Sequence, residues 1–170
     1  MNALSELDSP NEYYVDRVKG LVYYYPSTEG DIVNAFVSAA DTVVTITGAQ
    51  YIILQNLIIS HGQEHGIMIQ KSNDILVQSC QVNGHGNSAI GVSSSTRVAV
   101  DGSEIFGIGC KAVDVNCGDV KSLTPGYCRV DTCDIHHFAM WQRTYNPGIS
   151  TIRYLSKQLF DWYYRYRNLR

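Results

Sequence analysis

A period of 23 residues governs this chain. Blocks beginning at Val43, Gly66, Ala89 and Ala112 open VVTIT, GIMIQ, AIGVS and AVDVN, and successive openings lie 23 residues apart. Apolar columns follow from this alignment. Val44, Ile67, Ile90 and Val113 form one, and Ile46, Ile69, Val92 and Val115 the next. Further along each block, Ile52/Ile75/Val98, Leu54/Val77/Val100 and Ile59/Val82/Ile105 align in the same way. The fourth block is longer. Cys128, Val130, Cys133 and Ile135 resume the columns at an offset of 30, and Gly148-Ile149-Ser150 opens a fifth block at an offset of 36. Two insertions, at 117–126 and 139–147, account for the extra length.

Apolar residues two apart, as in Val44/Ile46, describe a strand with one buried face. The columns are mostly β-branched, which suits strands. One block cannot bury its own apolar face. Stacked blocks pair edge to edge about 4.8 Å apart and fill the interior with like-on-like columns. The expected fold is therefore all-β: a right-handed parallel β-helix of about four to five coils, the hand following the usual preference of parallel connections. A leucine-rich repeat shares the period range, but its columns would be Leu and each block would need room for a helix. A β-sandwich would not keep column identity over three consecutive blocks. Before the repeat, Tyr13–Asp16 and Leu21–Tyr25 alternate around Arg17-Val-Lys-Gly20, which predicts a hairpin. Such a hairpin could cover the open edge of a first coil. The expected organisation is a capping hairpin and lead-in over 1–42, coils over 43–150 and a divergent tail over 151–170.

Composition limits the functions open to such a solenoid. The net charge of −3 gives no reason to expect nucleic acid as a partner. No apolar run is long enough to span a membrane, so no membrane partner is expected. The start, Met1-Asn-Ala-Leu-Ser-Glu-Leu-Asp, has neither a basic n-region nor an apolar h-region. Five cysteines without framework or zinc spacing are expected to be small buried apolar residues. His61 and His85 fall in turns without a third ligand at useful spacing, so neither a metal nor another cofactor is expected.

Two stretches carry a resemblance. The first is Leu7-Asp-Ser-Pro-Asn-Glu-Tyr-Tyr-Val-Asp16 with Gly20-Leu-Val-Tyr-Tyr-Tyr-Pro26. The second is Gly118-Asp-Val-Lys-Ser-Leu-Thr-Pro-Gly126, followed by Ile135-His-His-Phe138 and Arg143-Thr-Tyr-Asn-Pro-Gly-Ile149. Together they resemble right-handed β-helix repeat proteins of the pectin-lyase-like class, and within it large glycoside hydrolases of the fucosidase and xylanase kind. The resemblance implies a polysaccharide or oligosaccharide partner, an extracellular location, and a sugar groove on the outer face of the first strand of each coil. It also implies further coils after Ile149 that would carry most of the acidic catalytic residues.

On that face Asp114 projects outward between the inward Val113 and Val115, in the column Thr45, Met68, Gly91, Asp114 and Ser150. It is the first candidate for a catalytic carboxylate, against an ordinary surface aspartate. Asp119, in the first insertion, is the second, against a turn residue bonding its own backbone. His136 and His137 are candidate substrate-binding residues, against hydrogen-bonded structural histidines; only one of an adjacent strand pair is expected to face outward. Trp141, Arg143 and Tyr145 lie in the second insertion, where aromatic faces stack on sugar rings and Arg grips carboxylates; the alternative is a loop tucked against the wall. Asp131 and Asp134 belong to outward turns. A lyase would instead want a base beside a cation, for which Lys121 and Arg143 are the candidates.

Residues 1–150 hold eight basic and fifteen acidic side chains, a charge of −7, whereas 151–170 carry +4. Ile152, Leu155, Leu159, Phe160 and Tyr163 recur near helical spacing, so the tail reads as an amphipathic helix over the last coil or as sequence foreign to the repeat. The abrupt change in charge and aromatic content favours the second. Three functions remain. The first is a fragment of a glycoside hydrolase-like protein that is not catalytically complete by itself. The second is a non-catalytic solenoid binding glycan or protein along its outer strand face. A complete minimal glycosidase using Asp114 and Asp119 ranks behind both. An uncovered end would favour edge-to-edge self-association.

Overall fold

The computed structural model describes residues 4–28, 36–119 and 121–151. The tail expectations fall on 152–170, outside these residues. Two compact units divide the chain, Met1–Val37 and Ser38–Arg170.

In the first unit, β1 (Tyr13–Asp16) and β2 (Leu21–Tyr24) pair antiparallel in the register Tyr13↔Tyr24 to Asp16↔Leu21. The Asp16 carboxylate accepts from the backbone N–H groups of Val18 (3.1 Å) and Lys19 (3.0 Å), which bends the chain back at Gly20. Tyr14 and Tyr23 face each other across the pair, ring centroids 5.9 Å apart.

The second unit is a parallel β-helix with three strand faces. The first face stacks β3 (Thr42–Thr47), β6 (His65–Gln70), the first half of β9 (Ser88–Asp101), β11 (Val113–Cys117) and β14 (Ile149–Thr151). The second stacks β4 (Gln50–Gln55), β7 (Asn73–Gln78), the second half of β9 and β12 (Arg129–Asp131). The third stacks β5 (Ile58–Ser60), β8 (Gln81–Asn83), β10 (Glu104–Phe106) and β13 (Asp134–His136). Every pairing between laps is parallel, and no described residue is α-helical. The repeat predicts the register residue by residue. Val44, Ile67, Ile90, Val113 and Ile149 form one internal file, and Ile46, Ile69, Val92, Val115 and Thr151 the next. The offset of 30 is kept by Val100↔Val130 and Ile105↔Ile135. The files are most completely buried in the middle laps. Ile67, Ile69, Ile75, Val77, Ile90, Val98, Val100 and Ile105 are all buried.

The corners follow the same period. Left-handed backbone recurs in vertical files: Gly48, Lys71 and Ser94; Tyr51, Asp74, Arg97 and Tyr127; Asn56, Ser79, Gly102 and Thr132; His61, Gly84, Gly107 and His137. A lap of 23 residues must turn sharply between short strands, and a left-handed residue makes the bend in one step. Inside two corners, buried serines satisfy the backbone that the bend leaves unpaired. Ser72 Oγ accepts from Ala49 N (3.2 Å) and donates to the Gln70 carbonyl (2.7 Å). Ser95 repeats this with Ser72 N and the Ser93 carbonyl, and Ser103 with Cys80 N and the Asp101 carbonyl.

The cysteines correct the expectation that all five are merely small buried residues. Cys117 and Cys128 form a disulfide across the first insertion. Cys80 is a buried thiol, and Cys110 and Cys133 are half-buried thiols. Burial pushes the Cys133 thiol above its ordinary pKa.

Candidate functional site

Strand alternation on β11 sends Val113 and Val115 inward and leaves Asp114 on the outer surface, in register with Gly91 and Ser150. Its side chain is 37% exposed, and Lys111 Nζ lies 3.0 Å from Oδ2. The other oxygen, Oδ1, is buried with no hydrogen-bond donor among the described residues. Gly91 is buried because the Met68 thioether lies across it, and a Cβ there would strike the sulfur. Lys111 continues a file that the 23-residue offset connects to His65 and Ser88. His65 Nδ1 and Ser88 Oγ are 2.8 Å apart. One edge of the first face is thus polar, formed by His65, Ser88, Lys111 and Asp114, with Ser88 itself buried. Sequence reasoning missed the first three, although positions 65, 88 and 111 recur at the period.

Asp119 lies past the far end of the same strand. Its Oδ1 accepts from Lys121 N (3.0 Å) and its Oδ2 from the Ser122 hydroxyl (2.7 Å), while its backbone pairs with Thr124. The Ser122 hydroxyl bond first, then the Lys121 N–H, holds this carboxyl below its ordinary pKa. Among the described residues no hydrogen bond joins Asp114 and Asp119. Asp114 is paired with Lys111, whereas Asp119 is tied into the first insertion beyond the end of β11, which the chain leaves through left-handed Gly118.

The second insertion is bound back onto the preceding lap. Ala139 N donates to the Cys110 carbonyl (2.8 Å), Met140 N to Ile108 (3.1 Å) and Trp141 N to Gly109 (3.0 Å). Asn146 Nδ2 bonds the carbonyls of Gln142 and Thr144 and closes the loop on itself. Trp141 remains 74% exposed. Its ring edge lies against Gly86, at the corner that leads into β9, where a Cβ would sit 3.5 Å from Cζ3. Arg143 is exposed, and Tyr145 is 93% exposed with a left-handed backbone.

His136 and His137 belong to the third face, not to the Asp114 strip. The two are not an adjacent strand pair, because the strand ends at His136 and His137 takes the left-handed corner. His136 stacks flat on Phe106 (centroids 5.1 Å, interplanar 8°), with Nε2 3.6 Å from Glu104. Its Nδ1 lies 2.6 Å from His137 Nδ1, so one of the two rings donates. Gln81 Nε2 holds the other Glu104 oxygen at 2.8 Å. Among the described residues no group of three or more His, Cys, Asp or Glu side chains is placed to hold a metal ion.

His85, read from sequence as a turn residue, points into the interior and is buried. Gly62 N donates to its Nδ1 (3.0 Å), so the proton sits on Nε2, which donates to the Ile59 carbonyl (3.1 Å). Desolvation pushes its pKa below the ordinary value.

Stacked parallel laps, inward β-branched files and left-handed corners define a β-solenoid repeat protein. The family described as right handed beta helix region matches residues 15–151, and the chain belongs to that family. This fixes the hand of the coil. No curated protein and no solved structure matches the chain.

Proposed function

We propose that this chain is a carbohydrate-active β-helix module, glycoside hydrolase-like in architecture, that binds a glycan along its first face and does not hydrolyse it alone. One observation carries the reading: the second insertion is hydrogen-bonded to Ile108, Gly109 and Cys110 and so holds an exposed Trp141 at the corner entering the face that bears Lys111 and Asp114. An indole held open at low entropic cost is a stacking surface for a pyranose ring. The Asp114–Lys111 pair and the Ser93 and Asn116 side chains of the same face supply hydroxyl partners. Glycoside hydrolysis needs two carboxyl groups about 5 to 9.5 Å apart. Each carboxylate is already engaged locally, Asp114 by Lys111 and Asp119 by Lys121 N and the Ser122 hydroxyl, which favours binding over turnover by this pair. The Cys117–Cys128 bond supports the extracellular reading, since disulfides persist in oxidising compartments.

The test is calorimetric titration of the chain against a panel of oligosaccharides. Binding should be weakened by Trp141→Ala and by Asp114→Asn, with no reducing sugar released by the wild type. Binding indifferent to both substitutions would remove the first face from the reading. Turnover abolished by Asp114→Asn would replace binding with catalysis.

A further inference from the structure

Tyr51, Asp74, Arg97 and Tyr127 occupy equivalent positions in four successive laps, at the start of the second face, just past the Gly48, Lys71 and Ser94 corner. The flanking pairs Gln50↔Asn73↔Thr96 and Ile52↔Ile75↔Val98 fix the first three, and Arg97 N donating to the Gly126 carbonyl (2.7 Å) fixes the fourth. All four have left-handed backbone, at φ 58, 57, 51 and 51. Glycine, Asn or Asp would take this conformation with least strain, and a bulky aromatic residue is an outlier there. Yet the file begins and ends with tyrosine, and neither ring is spent on the core: Tyr51 is 78% exposed and Tyr127 63%. The left-handed backbone is common to the turns of every lap; what sets this file apart is that the rings at both of its ends are left exposed.

The middle of the file is equally ordered. Arg97 Nε and Nη2 donate to the two Asp74 oxygens at 2.6 and 2.7 Å, a bidentate pair that fixes the guanidinium plane and cancels its charge. Tyr127 is anchored from behind, since the next residue is the buried Cys128 of the disulfide. The result is a straight ledge about 14 Å long at ~4.8 Å per lap: ring, neutralised planar pair, ring.

We infer that this ledge is a second carbohydrate-contact surface, separate from the Trp141 corner, and that it takes a linear neutral oligosaccharide. Two rings three laps apart suit an extended chain of pyranoses, each ring stacking on one sugar. The closed Arg97–Asp74 pair offers hydroxyl-bonding edges but no unsatisfied cation, which disfavours a polyuronate.

The experiment uses the full chain carrying Trp141→Ala, so that loss of the first-face reading cannot be mistaken for loss of this one. It is titrated with linear neutral hexasaccharides (β-1,4-linked glucose, xylose and mannose) and with hexagalacturonate. A neutral ligand should bind more tightly than hexagalacturonate. Tyr51→Ala and Tyr127→Ala should each weaken it by about three- to tenfold, and Tyr→Phe at either position should preserve it. Amide shifts induced by the same ligand in the parent chain should centre on residues 50–52, 74, 97 and 127, a readout that does not depend on any ledge variant folding. Absence of binding by every neutral ligand, equal or tighter binding of hexagalacturonate, or affinity unchanged in both Tyr→Ala variants would overturn the inference.

Discussion

At the residue scale, His85 shows how an interior histidine is kept neutral. It lies one lap before Ile108, a wholly apolar neighbour in the same internal column, and its two ring nitrogens are fixed as one acceptor and one donor. Protonation would put a second N–H against the Gly62 N–H and an uncompensated charge in the core. The folded pKa is therefore lowered, and below the ordinary value of 6.5 the unfolded chain binds the proton that the folded chain refuses. Stability from this group is whole above pH ~6.5, falls as pH drops towards the folded pKa, and levels off below it. In urea titrations at pH 7.5 and 5.5, His85→Gln should show a smaller loss on acidification than the wild type; equal losses would clear His85. Gly109 gives a second case. A Cβ there would overlap the Gly86 carbonyl oxygen one lap away. Gly109→Ala should lower stability by about 2–3 kcal/mol, the range of overpacking in a close-packed interior, read as a shift in urea midpoint. A change within a few tenths would mean that the corner moves to admit a methyl group.

At the element scale, strands were legible and loops were not. A strand carries its own ruler: Val44/Ile46, repeated as Ile67/Ile69 and Ile90/Val92, gives both the buried face and the partner in the next lap, and the observed register agrees. The insertions carry no such ruler. Nothing in the spacing of Cys117 and Cys128 distinguished a bond from two buried thiols, because their pairing depends on a turn closed by Asp119 and Thr124. Strand alternation does not reveal Lys111 beside Asp114, because Lys111 reaches back from the preceding corner rather than from an outward strand position. The disulfide makes the first insertion a testable element. Closing a loop of this size stabilises by about 3 kcal/mol through the unfolded chain. Replacing both cysteines by serine should lower the unfolding midpoint and open residues 118–127 to proteolysis, as should reduction of the wild type. Unchanged melting and digestion after reduction would mean that the insertion holds itself.

At the scale of the whole molecule, the solenoid is a one-dimensional stack, and each lap is only as stable as the neighbours that cover it. Ile90 is buried between Ile67 and Val113. Ile52 points to the same interior, but in the first lap, and is only half-buried; its strand β4 pairs with β7 alone among the described residues. The same substitution should therefore have unequal effects. Ile90→Ala removes a fully buried side chain with a rung on either side to resist collapse, and should cost about 3–4 kcal/mol; Ile52→Ala, partly solvated already, should cost about 1–2 kcal/mol. Hydrogen exchange supplies the spatial version of that argument. Amides of β6, the first half of β9 and β11 should exchange most slowly, at rates approaching global unfolding, and those of β3, β4 and β14, each paired on one side only among the described residues, should exchange through local opening. A flat protection profile, with equal costs for Ile90→Ala and Ile52→Ala, would mean that something outside the stack covers the first lap as completely as a further rung would.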